Sequence, residues 1–213
     1  MIFHRLRQLL FPRGLYCALC KTECMETQYI CSACQAQILW QPHQRSLPGL
    51  DALHIAGYYH SQQRTLIHRF KYDGERHLGS YLAMQLQALG DCRAFLLLPV
   101  PSHPKRRRER GFSQTEDLAR CLAQQNRAKL ARHALQRTRN TPSQARLNAQ
   151  ERRSNVKNAF AARPEHVRGQ HILLIEDIVS TGSTLQSCAA ALRQAGAQSV
   201  TAWALAEAGH PNR

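Results

Sequence analysis

Three clusters of residues in this 213-residue chain have the types and spacing to do chemistry. The first lies in the run HILLIEDIVSTGSTLQSCAAA at 171–191. Glu176 and Asp177 are adjacent carboxylates, and Ser180, Thr181, Gly182, Ser183 and Thr184 follow as a small, hydroxyl-rich loop. Acceptors beside such a loop fit a sugar phosphate: diol hydroxyls on the acids, the 5′-phosphate on the loop. Gly182 lets the backbone approach a ligand closely, and the free N–H groups of a helix start favour an anion. The bland alternative is an ordinary strand–loop–helix joint with a Thr-Gly turn. The second cluster is a pair of CxxC turns, Cys17 with Cys20 and Cys31 with Cys34. Two such turns can offer four thiolates to one tetrahedral ion, which points to structural zinc; a disulfide or redox use and a vestigial site are the alternatives. Four protein ligands leave no open position, so the metal would fold the module and catalyse nothing. The fifth nearby cysteine, Cys24, lacks a paired spacing and is not expected to be a ligand. The third cluster is a basic loop with Lys105, Arg106, Arg107, Arg108 and Arg110, closed by Gly111 and leading to Gln114. Guanidinium forks bind phosphate oxygens in pairs.

The elements that must position these groups follow from periodicity. The unbroken apolar run 172–175 predicts a strand buried on both faces, with the acids at its C-terminal end and a helix over 185–194. Further strands are expected at 53–59, 94–100, 134–138 and 199–205. Helices are expected at 62–71, 78–89, 114–125 and 147–156. Leu78, Leu82, Leu86 and Leu89 share one helical face. Strands alternating with helices predict an α/β fold, doubly wound, with a mainly parallel sheet. In such sheets ligands sit outside the carboxyl ends of the strands, where both the acid loop and the basic loop begin. The Pro- and Gly-marked stretch 41–50 reads as a linker between the cysteine module and the main domain. Lys71 closes the 62–71 helix; it is either a phosphate contact or a solvated lysine favoured by the helix dipole.

Charge narrows the partners. The net charge is +15, and 102–168 holds 17 Lys and Arg against five Asp and Glu. A field of that sign attracts polyanions, unless it is only a solvated Arg-rich surface. No apolar run approaches a membrane span, so membrane insertion is not expected. The first 12 residues lack the apolar core and cleavage site of a signal peptide, and a cytoplasmic location is the expectation.

The hydrophobic strand, acid pair and Thr-Gly-x-Thr loop together resemble the phosphoribosyl-pyrophosphate (PRPP) motif of type I phosphoribosyltransferases. Pro99-Val-Pro101, the basic loop, Arg110-Gly-Phe-Ser-Gln114, Thr141-x-x-Gln144, Leu147, Arg152, Asn155-Val156 and Ala159-Phe160 narrow the resemblance to the ComF/GntX family. Ser113 stands where that family usually has Asn, a change not expected to remove turn or capping chemistry. The resemblance covers nearly the whole chain and implies a type I phosphoribosyltransferase-like domain at 50–213 behind a zinc-knuckle module at 1–45, which would also include an N-terminal helix. It implies PRPP bound with Mg²⁺ on Glu176, Asp177 and 180–184. Arg108, Arg110, Gln114 and Lys71 are candidates for the pyrophosphate side, and Gln144 and Arg152 for a hood that closes over the ligand. It further implies a role in DNA uptake, natural transformation or the use of external DNA, with competence or recombination proteins as partners. The alternative is a non-catalytic accessory that uses the fold only for a ligand or for single-stranded DNA. Aromatic residues for base stacking are few in the basic region, Phe112 and Phe160 being the ones at hand. No nucleophile-activating base and no acceptor pocket are readable. The chain begins Met1-Ile2, without the N-terminal cysteine of glutaminase-linked amidophosphoribosyltransferases.

Overall fold

The structure is a computed structural model that describes residues 16–24, 29–103, 108, 111–138 and 159–209. After a one-turn helix α1 (Ser32–Gln35), the chain runs β1 (His43–Gln44), β2 (Ala52–Ile55), α2 (Ser61–Tyr72), α3 (Leu78–Gln87), β3 (Leu96–Pro99), α4 (Gln114–Asn126), β4 (Lys129–Leu130), β5 (Leu135–Arg137), β6 (Phe160–Ala162), α5 (Pro164–Val167), β7 (His171–Val179), α6 (Ser183–Gln194) and β8 (Ser199–Glu207). Six strands form one sheet in the order β1-β2-β8-β7-β3-β4. All neighbours are parallel except β1, which runs antiparallel to β2 along the edge. The doubly wound, mainly parallel sheet expected from the alternation of elements is therefore present.

β7 is central because its sequence requires it. Ile172, Leu173, Leu174 and Ile175 are fully buried. Alternation sends Leu173 and Ile175 into a core shared with α2, α3 and α4, and Ile172 and Leu174 into a second core under α6. Each such side chain gains about 1.5–3 kcal/mol from burial, so a strand apolar on both faces is fixed in the middle of the sheet.

Several boundaries differ from the periodicity reading, each for a physical reason. β7 runs on through the acids to Val179, because β8 continues to pair with it as far as Val179↔Glu207. α6 opens at Ser183, two residues earlier than expected, because Gly182 caps it with φ 79°. The stretch expected to be a plain linker carries β1, paired as His43↔Ile55 and Gln44↔His54. The 134–138 strand exists but leaves the main sheet and pairs antiparallel with β6. The helix expected at 147–156 lies outside the described residues.

The cysteine module shares its core with the main sheet. Cys17, Ala18, Cys24, Ile30 and Ile38 are buried among the same side chains as Leu66, Phe70 and Tyr81. Cys24 is thus a small core residue, 4% exposed.

Candidate functional site

The connections leaving β3 and β7 part company. From β3 the chain crosses one face through α4 to β4, outward on one side. From β7 it crosses the opposite face through α6 to β8, outward on the other. The two strands are parallel neighbours, with Pro99 opposite Ile175. A crevice opens at that switch point, beyond the carboxyl ends of the strands, where α/β sheets hold ligands. Both loops that the sequence singled out start there.

Strand alternation puts Glu176 and Asp177 on opposite faces of β7. Asp177 turns toward α2, where Lys71 Nζ lies 2.7 Å from its Oδ2. Lys71 is 8% exposed and paired with Asp177, so it is not a solvated terminal lysine. Burial pushes the Asp177 carboxyl up, but the Lys71 charge and the Ile178 N–H, which donates to Oδ1 at 2.6 Å, outweigh it and hold the group below its ordinary value. Glu176 turns toward α6 and Cys188, whose thiol burial pushes up. Burial, reinforced by the Asp177 charge, pushes the Glu176 carboxyl well above the usual range. Its Oε1 accepts the Asp177 N–H at 3.0 Å. The pair is therefore compensated from within: Lys71 offsets the Asp177 carboxylate, and burial disfavours charge on Glu176.

The loop after β7 is tightly built. Gly182, at φ 79°, is packed so closely that a Cβ there would stand 2.5 Å from Leu47 Cδ1. Thr181 Oγ1 and Ser183 Oγ are 3.1 Å apart, and the Ser183 N–H points at Thr181 Oγ1 at 3.4 Å. Ser183 is 4% exposed, whereas Ser180 is exposed and Thr181 and Thr184 are half-buried. The first turn of a 12-residue helix thus opens at the crevice with hydroxyls beside its N–H groups.

On the β3 side, Arg108 is exposed and Gln114 is the buried first residue of α4. Ser113 is the N-cap of that helix, yet its hydroxyl meets Ser102 and Thr115 hydroxyls at 3.3 Å and makes no capping bond. The expected capping chemistry is therefore diverted into a hydroxyl cluster. A cavity of about 330 Å³ lies there, with Ser102, Ser113, Arg132, His133 and Arg137 among its walls. Arg110, Gln144 and Arg152 lie outside the described residues.

Sequence reasoning missed four residues near the acids. Arg45 donates to the carbonyls of Ser180 and Thr181 and to Glu207, and His43 Nε2 lies 2.9 Å from the same Glu207 carboxylate. Tyr59 stands near Asp177: burial pushes its phenol up against the pull of Arg64, and the Tyr72 and Asp177 charges add to the rise. No local pattern marks these residues. Segments remote in sequence bring them to this edge of the sheet.

Away from the crevice, the ligand sulfurs of Cys17, Cys20, Cys31 and Cys34 all lie within 4.8 Å of one another, and those of Cys20 and Cys31 are 3.7 Å apart. A tetrahedral zinc with bonds of ~2.3 Å sets its sulfurs ~3.8 Å apart, so the group fits a metal of that kind. The four metal-free thiols cannot ionise alike. The Thr22 hydroxyl and N–H lower Cys20 to about 6, while burial and the other three cysteines push Cys34 up to about 12. The Cys17 and Cys31 N–H environment matches a knuckle: the Leu19 and Cys31 N–H groups both approach Cys17 Sγ at 3.4 Å.

Residues 109–212 match a phosphoribosyl transferase domain. The chain is 29% identical to Competence protein F of Haemophilus influenzae over 203 residues, covering 91% of this chain and 85% of that one. It is 35% identical to the DNA utilization protein YhgH of Escherichia coli O157:H7 over 148 residues, 66% of this chain and 65% of that one. It is 26% identical to Competence protein ComFC of Bacillus subtilis over 187 residues, covering 85% of this chain and 75% of that one. Among the described residues no helix is long and apolar enough to cross a membrane.

Proposed function

The chain belongs to the ComF family of phosphoribosyltransferase-like proteins, and on that premise we propose that it binds PRPP with Mg²⁺ in the crevice between β3 and β7 and serves the uptake or use of external DNA. The observation that carries this reading is the Lys71–Asp177 ion pair beside the hydroxyl-rich loop. PRPP is a strong polyanion. Two bare carboxylates would repel it, but Lys71 offsets the Asp177 charge and burial disfavours charge on Glu176, so the pair offers hydrogen-bonding groups to a ribose diol with little uncompensated negative charge. Residues 180–184 take the 5′-phosphate at the start of α6. Arg108, Arg110, Gln114 and Lys71 are the candidates to neutralise the pyrophosphate, joined by Arg137, which lines the cavity on the β3 side. Gln144 and Arg152 belong to the segment that would close over the ligand. Bound Mg²⁺ would neutralise pyrophosphate oxygens and help orient the leaving group.

If the protein turns PRPP over, these residues supply positioning and charge neutralisation for displacement at C1. Zinc on the four cysteines would hold the N-terminal module to the shared core. A non-catalytic accessory that uses the fold only for a ligand or for single-stranded DNA is the less favoured reading, since the relatives and the matched domain point to the phosphoribosyltransferase type. Titration calorimetry with PRPP and Mg²⁺, run beside single-stranded DNA on one preparation, tests the proposal. Micromolar PRPP binding is expected, weakened at least tenfold by Asp177→Asn. Absence of PRPP binding by the wild-type protein overturns the reading.

A further inference from the structure

We infer that the edge segment 43–47, through Arg45, is the positioning element of the phosphate loop; the inference rests on the reading of 180–184 as that loop. The segment lies outside the matched transferase domain, which begins at residue 109. It enters the site only because β1 pairs antiparallel with β2, and β2 lies beside β8. The Arg45 N–H donates to Leu53 O at 3.0 Å, which seats residue 45 on the sheet edge.

Alternate residues of this segment then face the loop. Leu47 is buried against Gly182, filling the volume a Cβ would need. Arg45 makes three bonds: Nη1 donates to Ser180 O at 2.7 Å and to Glu207 Oε1 at 2.6 Å, and Nη2 donates to Thr181 O at 3.3 Å. Its anchor, Glu207, is itself fixed. His43 Nε2 meets Glu207 Oε2 at 2.9 Å, and the His43 ring stacks on Tyr58 at 4.5 Å and 12°. The Glu207 N–H donates to Gly57 O at 2.9 Å.

These bonds matter because a peptide is planar and trans. Holding the Ser180 carbonyl turns the Thr181 N–H the opposite way, and holding the Thr181 carbonyl does the same to the Gly182 N–H. One guanidinium therefore orients two successive peptide planes just ahead of α6. An anion cradle of backbone N–H groups works only when those groups are preset, since ordering them on binding costs affinity. A planar fork can hold two carbonyls and a carboxylate together, which a lysine ammonium on its flexible stem does less well.

The test uses the full chain with three variants: Arg45→Met, Arg45→Lys and Glu207→Gln. Amide hydrogen exchange is read without ligand at 181–184 and at the core amides 172–175 and 200–205. Arg45→Met is expected to speed exchange in the loop about tenfold while leaving the core amides unchanged. Arg45→Lys should restore part of the protection, and Glu207→Gln should give an intermediate loss. PRPP affinity measured with Mg²⁺ should fall about tenfold in Arg45→Met and less in Arg45→Lys. Loop exchange unchanged within about twofold in these variants overturns the inference. If Arg45→Met fails to fold, Arg45→Lys and Glu207→Gln decide by the same readout. Because the exchange arm needs no ligand, it stands even if the wild-type protein binds no PRPP, which would sink the proposed function alone.

Discussion

The acid pair of β7 and the cysteine cluster solve one electrostatic problem in different ways. Each gathers like-charged groups. At Glu176 and Asp177 the chain supplies its own counter-charge, Lys71 at 2.7 Å, and burial disfavours charge on the second acid. At Cys17, Cys20, Cys31 and Cys34 four sulfurs lie within 4.8 Å, and the nearby lysine, Lys21, points instead toward Glu75 at 3.9 Å. An ammonium held within the fold can later be shared with an incoming phosphate, so a compensated acid pair suits a ligand that comes and goes. A thiol cluster whose neighbouring lysine is engaged elsewhere suits a resident metal cation.

The largest effect that would separate the two regions is metal removal. Zinc measured by elemental analysis should be one ion per chain. Chelation or Cys34→Ser should lower the melting temperature by on the order of 10 °C, because the cysteine module shares its core with α2 and α3. PRPP affinity, read at the other region, should change far less. A preparation without metal that melts at the same temperature would show that the cluster needs no cation, and the contrast with the acid pair would fail.

A smaller effect is expected at the acid pair itself. Lys71→Met leaves the half-buried Asp177 carboxylate beside a hydrophobic stem and should cost about 3 kcal/mol in urea unfolding. Lys71→Met with Asp177→Asn should recover much of that loss, since the uncompensated charge is gone. A double variant no more stable than Lys71→Met would mean that packing, and not charge compensation, holds this part of the crevice together.

The two regions also differed in how far the sequence exposed them. The cysteine ligands and the loop 180–184 are contiguous patterns, readable because their chemistry is local. Asp177 was readable as a site residue, but its partnership with Lys71 was not, because it depends on α2 packing against the same face of β7 that alternation assigns to Asp177. Arg45 and Glu207 were invisible for the same reason: one sat in an apparent linker and the other at the end of a strand. β1, β4 and β6 are two or three residues long, too short for a period to register, and only pairing partners define them. The long elements followed their hydrophobic pattern within a few residues at their ends, where caps such as Gly182 set the boundary.

The finest test concerns pH, where the two acids work against each other. Asp177 is held below 3.8 in the folded chain by Lys71 and the Ile178 N–H, which outweigh its burial. Its contribution to stability is present above the unfolded carboxylate range and is lost as pH falls through its depressed folded value. Glu176 is pushed above 4.5 by burial and by Asp177. Its contribution is complete below pH 4.5 and drains as pH rises through its raised folded value, because the fold must then accept a second buried negative charge. Glu176→Gln keeps the shape and removes that proton. Its stability relative to wild type should therefore rise as pH increases through the Glu176 titration, while the acid limb owed to Asp177 stays in place. Urea unfolding of both proteins across a pH series reads this directly. Parallel stability curves would mean that Glu176 is already ionised in the folded chain. The acid pair would then carry net negative charge, and its suitability for a polyanion would have to come from Mg²⁺ alone.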